Sequence, residues 1–154
     1  MSRSHEERLE DVRALLVSAV DAWVATASPS GVPHLVPLSF AAISTDLIVC
    51  ATPRTSATAR NVEATRRARL GLGELRDVVM VDAAASTAAW STAEPRLVDH
   101  FVSTRGWDPL GEPFDFAMLV LRPVRVQAWR SLEEIAGRTL MRDGSWLDSP
   151  DSQR

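Results

Sequence analysis

Four hydroxyl groups and two guanidinium groups are concentrated in the segment Thr52-Pro-Arg-Thr-Ser-Ala-Thr-Ala-Arg-Asn61, where an apolar run ends and a helical pattern begins. These residue types are suited to gripping a phosphate. The amides at a helix N-terminus carry partial positive charge, hydroxyls add hydrogen bonds, and arginine can meet two phosphate oxygens with parallel donors. The same residues also make an ordinary helix cap at Ser56 flanked by solvated arginines. Residue types alone leave both readings open.

Other reactive side chains form no comparable group. Cys50 is the only cysteine and lies within Leu47-Ile-Val-Cys-Ala51, where a thiol acts as a small hydrophobe. His34 follows a turn at the start of a strand. His100 sits beside Asp99, and adjacent helical positions do not share a face, so no metal-ligand pair emerges and no metal site is expected. Glu133-Glu134 reads as a solvated helix start rather than an acid pair. No Ser-His-Asp or Cys-His constellation stands out, and neither a dinucleotide fingerprint nor a Walker-type loop is present. All 17 basic residues are arginine, which excludes a Schiff base on a lysine side chain.

The elements that must position the hydroxyl-rich segment are mostly strands. Leu9, Val12, Leu15 and Leu16 recur at helical spacing and predict an N-terminal helix over 6–17 that caps the domain. Trp23–Ala27 and His34–Ile43 read as a hairpin around Ser28-Pro-Ser-Gly-Val-Pro33, and Leu47–Ala51 as a strand buried on both faces. Ser56 caps a short helix to about Ala64, followed by strands at Arg69–Gly73 and Val78–Ala83. A second helix is predicted over Glu94–Thr104, with proline in its first turn and Gly106 past its end. Phe116–Leu121 and Val124–Trp129 form a last long strand, with Pro123 marking an edge, bend or bulge. This order, without a repeating strand-helix unit, predicts a mainly β fold: an antiparallel six- or seven-stranded barrel with short helices.

The 154 residues, 45% of them hydrophobic, suit one domain over 1–148 with one substantial core, and a disordered tail over 149–154. The net charge of −3 gives no overall reason to expect nucleic acid or an anionic membrane as partner, so any anion site must be local. The start of the chain lacks an apolar signal block, and no stretch reaches the length of a membrane helix, so a cytoplasmic location is expected.

Segments from Val17 to Trp129 resemble the pyridoxamine-phosphate-oxidase-like, FMN-binding split-barrel family. The residues that carry the likeness are Ala25-Thr-Ala-Ser-Pro-Ser-Gly-Val-Pro-His-Leu-Val-Pro-Leu-Ser-Phe40, the strand ending Ala51-Thr-Pro, then Thr58-Ala-Arg-Asn-Val62 and Arg67-Ala-Arg-Leu70. The resemblance implies a split barrel and a homodimer with a flavin in the groove between subunits. Val36, Pro37 and Leu38 would run beside the ring and Thr52 would border it. Ser56, Thr58, Arg60 and Asn61 would surround the phosphate and its linker, and Arg54 is a further candidate of our own. Many relatives carry a cation near the position of Thr58, which implies a weaker or rearranged grip here. Trp129, Trp146 and the stretch between them resemble the region that closes the partner's groove in some relatives, or else pack a dimer interface. The implied function is an FMN-dependent oxidoreductase acting on a small molecule. A reductase using a deazaflavin such as coenzyme F-420 is the alternative, and a non-catalytic flavin- or haem-binding protein a third reading.

Overall fold

The computed structural model describes residues 2–150. Among them, eight strands and three α-helices follow in the order α1 (His5–Ser18), β1 (Asp21–Ala27), β2 (Pro33–Ser44), β3 (Leu47–Pro53), α2 (Ala57–Thr65), β4 (Arg67–Glu74), β5 (Asp77–Ala89), α3 (Pro95–Arg105), β6 (Phe116–Trp129), β7 (Thr139–Arg142) and β8 (Ser145–Trp146). The strands hydrogen-bond in the order β3-β2-β1-β4-β5-β6, and β3 pairs again with β6. Six antiparallel strands thus close into a barrel, to which β7 and β8 are added beyond β6. Of the predicted tail, Ser149 and Pro150 are exposed, and 151–154 lie outside the described residues.

Two apolar clusters explain why β3 is apolar from Leu47 to Ala51. Ile48 and Cys50 point into the barrel with Val24, Phe40, Leu70, Leu119 and Leu121. Val49 and Ala51 face the other way, under α3, with Trp90, Leu97, Phe101 and Met118. A strand covered on both sides has no solvent face on which to alternate. Burial pushes the Cys50 thiol up to about 12, which keeps it protonated and unreactive at neutral pH. The single core expected from chain length is therefore a barrel core with a satellite under α3.

The helices close the barrel and start where their caps dictate. Ser4 and Glu7 form a reciprocal capping box at α1, and α1 inserts Val12 and Leu16 into the barrel core. The Ser56 hydroxyl accepts from the Ala59 amide at 3.1 Å, and α2 contributes Val62 to the same core. Proline opens α3, and Gly106 ends it in a left-handed conformation, where glycine carries no Cβ penalty. Opposite the pairs Asp82↔Arg125 and Ala83↔Pro123 the register shifts, so Val124 is the extra residue of a bulge at the predicted proline.

The region after Trp129 differs from the sequence reading. Glu134 lies in a single 3-10 turn, Leu132–Glu134, and is buried. The strand pair β7–β8 follows. Glu134 is no solvated helix start, because Arg3 arrives from the far end of the chain and bonds both of its oxygens, at 2.8 Å from the backbone amide and 2.9 Å from Nη2.

Candidate functional site

The barrel splits where β2 and β3 part. Their ladder runs from Ser44↔Leu47 to Phe40↔Cys50 and stops there. Beyond it β3 pairs with β6 through Ala51, Thr52 and Pro53, while β2 pairs with β1 as far as Pro33↔Ala27. The His34–Ser39 stretch of β2 therefore has a ladder on one edge only. Its other edge offers backbone donors and acceptors to whatever enters the split, a demand that water or a ligand must meet.

At this end of the barrel the polar residues of β1, β3 and α2 come together. The Thr52 hydroxyl, buried at the end of β3, lies 3.0 Å from that of Ser56. Asn61 donates its side-chain amide to the Thr26 hydroxyl at 3.0 Å, and Thr26 is the ladder partner of His34. Thr58 is fully buried, and its hydroxyl has no hydrogen-bond partner among the described residues. Position in the first turn leaves the Ala57 and Thr58 amides without intrahelical acceptors. The N-terminus of α2 thus combines unused backbone donors with an unsatisfied hydroxyl, a setting suited to a small oxyanion.

The nine residues singled out from sequence do not all serve this place in the same way. Thr52, Ser56, Thr58 and Asn61 belong to it directly. Arg60 is exposed, and its guanidinium is held by the Thr55 carbonyl oxygen in the loop before α2. Val36 and Leu38 have their side chains on the barrel side of β2, Leu38 against the core, and Pro37 is on the opposite, exposed face across from Trp23. Only their backbone edge could run beside a common ligand. Arg54 lines a separate hollow of about 90 Å³ with Trp90, Glu112, Phe114 and Asp115.

Sequence reasoning missed Thr26, 35 residues from Asn61; the alternation of β1 marks it as inward-facing but names no partner. It also missed an open cleft of about 680 Å³, which none of the nine residues lines. Among the described residues no group of three or more His, Cys, Asp or Glu is placed to hold a metal ion. The His100 ring instead lies 3.0 Å from the Ala42 carbonyl oxygen. No helix among them is long and apolar enough to cross a membrane.

The sequence model of the pyridoxamine 5'-phosphate oxidase family matches residues 9–130, nearly the whole barrel. The chain belongs to this family. Solved structures agree on the fold. An F-420 reductase superposes with a TM-score of 0.59 at 18% identity, over 74% of this chain and 94% of its own. A pyridoxamine 5'-phosphate oxidase-related, FMN-binding protein from Nostoc punctiforme gives 0.52 at 18% identity, over 80% of each chain. General Stress Protein 26 from Bacillus anthracis gives 0.57 at 17% identity, over 79% of this chain and 93% of its own. No curated protein sequence matches significantly. In this chain the split lies between β2 and β3, and the polar residues of α2 stand beside it.

Proposed function

We propose that this chain is an FMN-binding oxidoreductase of a small molecule, with the cofactor at the interface of a homodimer. The observation that carries the reading is the one-sided edge of β2 beside an α2 N-terminus with an unsatisfied Thr58 hydroxyl. The ring edge would bond the free backbone groups of Val36, Pro37 and Leu38, with Thr52 at its border. The phosphate would lie at the Ala57 and Thr58 amides, with Ser56 and Asn61 nearby and Arg60 supplying charge. When bound, the flavin supplies the electron or hydride transfer, and the chain supplies binding, orientation and exclusion of water.

A second copy is supported by the surface beside the split. Trp23 is 54% exposed, Val32 61% and Leu35 59%. Trp23 stands across from exposed Pro37, and Leu35 across from Ala25. Clustered exposed apolar residues of this size mark an interaction surface. Covering them with a second copy would also roof the open edge of β2.

A deazaflavin such as coenzyme F-420 is the second reading. It is favoured by the buried, neutral Thr58, which brings no cation to the helix N-terminus. The test is an absorbance titration of the purified protein with FMN, coenzyme F-420 and haem, beside Arg60→Ala. Saturable FMN binding, weakened about tenfold in the variant as the loss of one charge-assisted hydrogen bond warrants, is the expected result. Preference for the deazaflavin would select the second reading, and preference for haem the third. Absence of binding by all three would overturn the proposal.

A further inference from the structure

The open cleft of about 680 Å³ lies beyond the C-terminal end of α2, on the outer face of the sheet, and is lined by Arg66, Arg67, Arg69 and Asp82 over a floor of small residues such as Ala25 and Ala84. The acid in this lining is already committed. Arg69 donates to both Asp82 oxygens, and Arg125 donates Nε to Oδ2 at 3.0 Å. Burial pushes the Asp82 carboxyl up, but the bonds and charges of the two arginines outweigh it and hold it below its ordinary value. Asp82 therefore works as a strut, fixing two guanidinium groups side by side while about half of the Arg69 and Arg125 side chains remains exposed.

Arg66 and Arg67 are exposed and have no acidic partner among the described residues. Arg66 also occupies the left-handed C-cap position of α2 at φ 60°, where glycine would carry no Cβ penalty. One reason to hold arginine there is the favourable interaction of a cation with the helix C-terminus. That reason does not extend to Arg67, Arg69 and Arg125. Three lining arginines against one aspartate, with Arg125 alongside as a further partner of that aspartate, make a positive cleft on a protein whose net charge is −3.

We infer that this cleft is a second anion site, sharing Thr26 with the polar group beside the split but with its arginines at the other end of α2, that takes a small molecule bearing two or more carboxylate or phosphate groups. Its volume lies in the usual range for small-molecule sites. Arg69, held in place by Asp82, offers a fixed guanidinium to one anionic group, and the unpaired Arg66 and Arg67 a more mobile pair to another. The site stands whether or not FMN is the cofactor.

The experiment is calorimetric titration of the full chain with citrate and, separately, with pyrophosphate, at physiological ionic strength so that loose surface attraction is screened. Wild type is compared with Arg67→Gln, with Arg66→Gly, which suits the left-handed backbone, and with Arg76→Gln as an exposed arginine elsewhere. Saturable binding of one probe per chain, weakened at least tenfold by Arg67→Gln and by Arg66→Gly but not by Arg76→Gln, is expected. The tighter of the two probes assigns the ligand to polycarboxylates or to phosphates. Three results would each overturn the inference: no saturable binding of either probe, equal loss in Arg76→Gln, or displacement of the bound probe by FMN.

Discussion

The two ends of the barrel are built on opposite plans. Where β4 ends, Val12 and Leu16 of α1 fill the core, and every oxygen of buried Glu134 is engaged: Arg3 reaches both, and the Arg130 amide donates to Oε2 at 2.8 Å. Arg3 is shared further with Asp11 at 2.8 Å and Asp77 at 3.3 Å. Arg8, also buried, donates to the Gly137 carbonyl at 2.6 Å. Where β4 begins, β2 has a bare edge, Thr58 has an unused hydroxyl, and Arg66 and Arg67 face solvent without acidic partners among the described residues. Apart from His5 Nδ1 and Ser131 Oγ, which have no partner among the described residues, the first end uses its polar groups on itself and so contributes stability; the other holds them in reserve at some cost in stability, as a binding region does.

The largest expected effect of breaking this contrast is at Glu134. Glu134→Ala leaves the largely covered Arg3 side chain without its main partner, and unfolding by denaturant should show a loss of about 3 kcal/mol. Acid acts on the same group more gradually. The bonds from Arg3, outweighing burial, hold the Glu134 carboxyl at about 2 against its ordinary 4.5. Because the folded value is the lower one, its contribution is complete above pH 4.5 and declines as pH falls from there toward 2. Stability measured across that window should fall less steeply in Glu134→Gln than in the wild type; equal slopes would show that Glu134 is not the responsible group.

At the opposite end a comparable deletion should cost almost nothing. Thr58→Val keeps the shape of the side chain and removes a hydroxyl that has no partner, so stability should stay level or rise by up to about 1 kcal/mol. A loss of about 2 kcal/mol or more would mean that the hydroxyl is engaged in the free protein. The smallest effect belongs to Cys50. Its buried thiol should resist a thiol-reactive dye in the native protein and react only after unfolding, and rapid native labelling would contradict its place in the core.

The same contrast explains what could be read from the chain. Local chemistry was legible: the Ser56 cap, the Pro95 and Gly106 brackets of α3, the two-faced burial of β3, and the irregularity at Pro123. So was the order of elements that the family shares. What sequence could not supply were partners far apart. Arg3 and Glu134 are separated by 131 positions, and the cleft draws on β1, the end of α2, β4, β5 and β6. The β7–β8 hairpin escaped notice although Asp143-Gly144, both at positive φ, is a strong two-residue turn signal; its strands are too short to show a pattern. At the candidate site the hydroxyls of α2 were readable, but the bare edge of β2 arises from register, which appears only once β3 turns to β6.

Amide hydrogen exchange on the full chain, with and without saturating FMN, tests the proposed place of the cofactor most directly. Slowed exchange confined to His34–Ser39 of β2 and to the first turn of α2, with β7 unchanged, is the expected result. Protection centred instead on Arg66–Arg69 and Asp82, with β2 unaffected, would contradict the assignment of the flavin to the split.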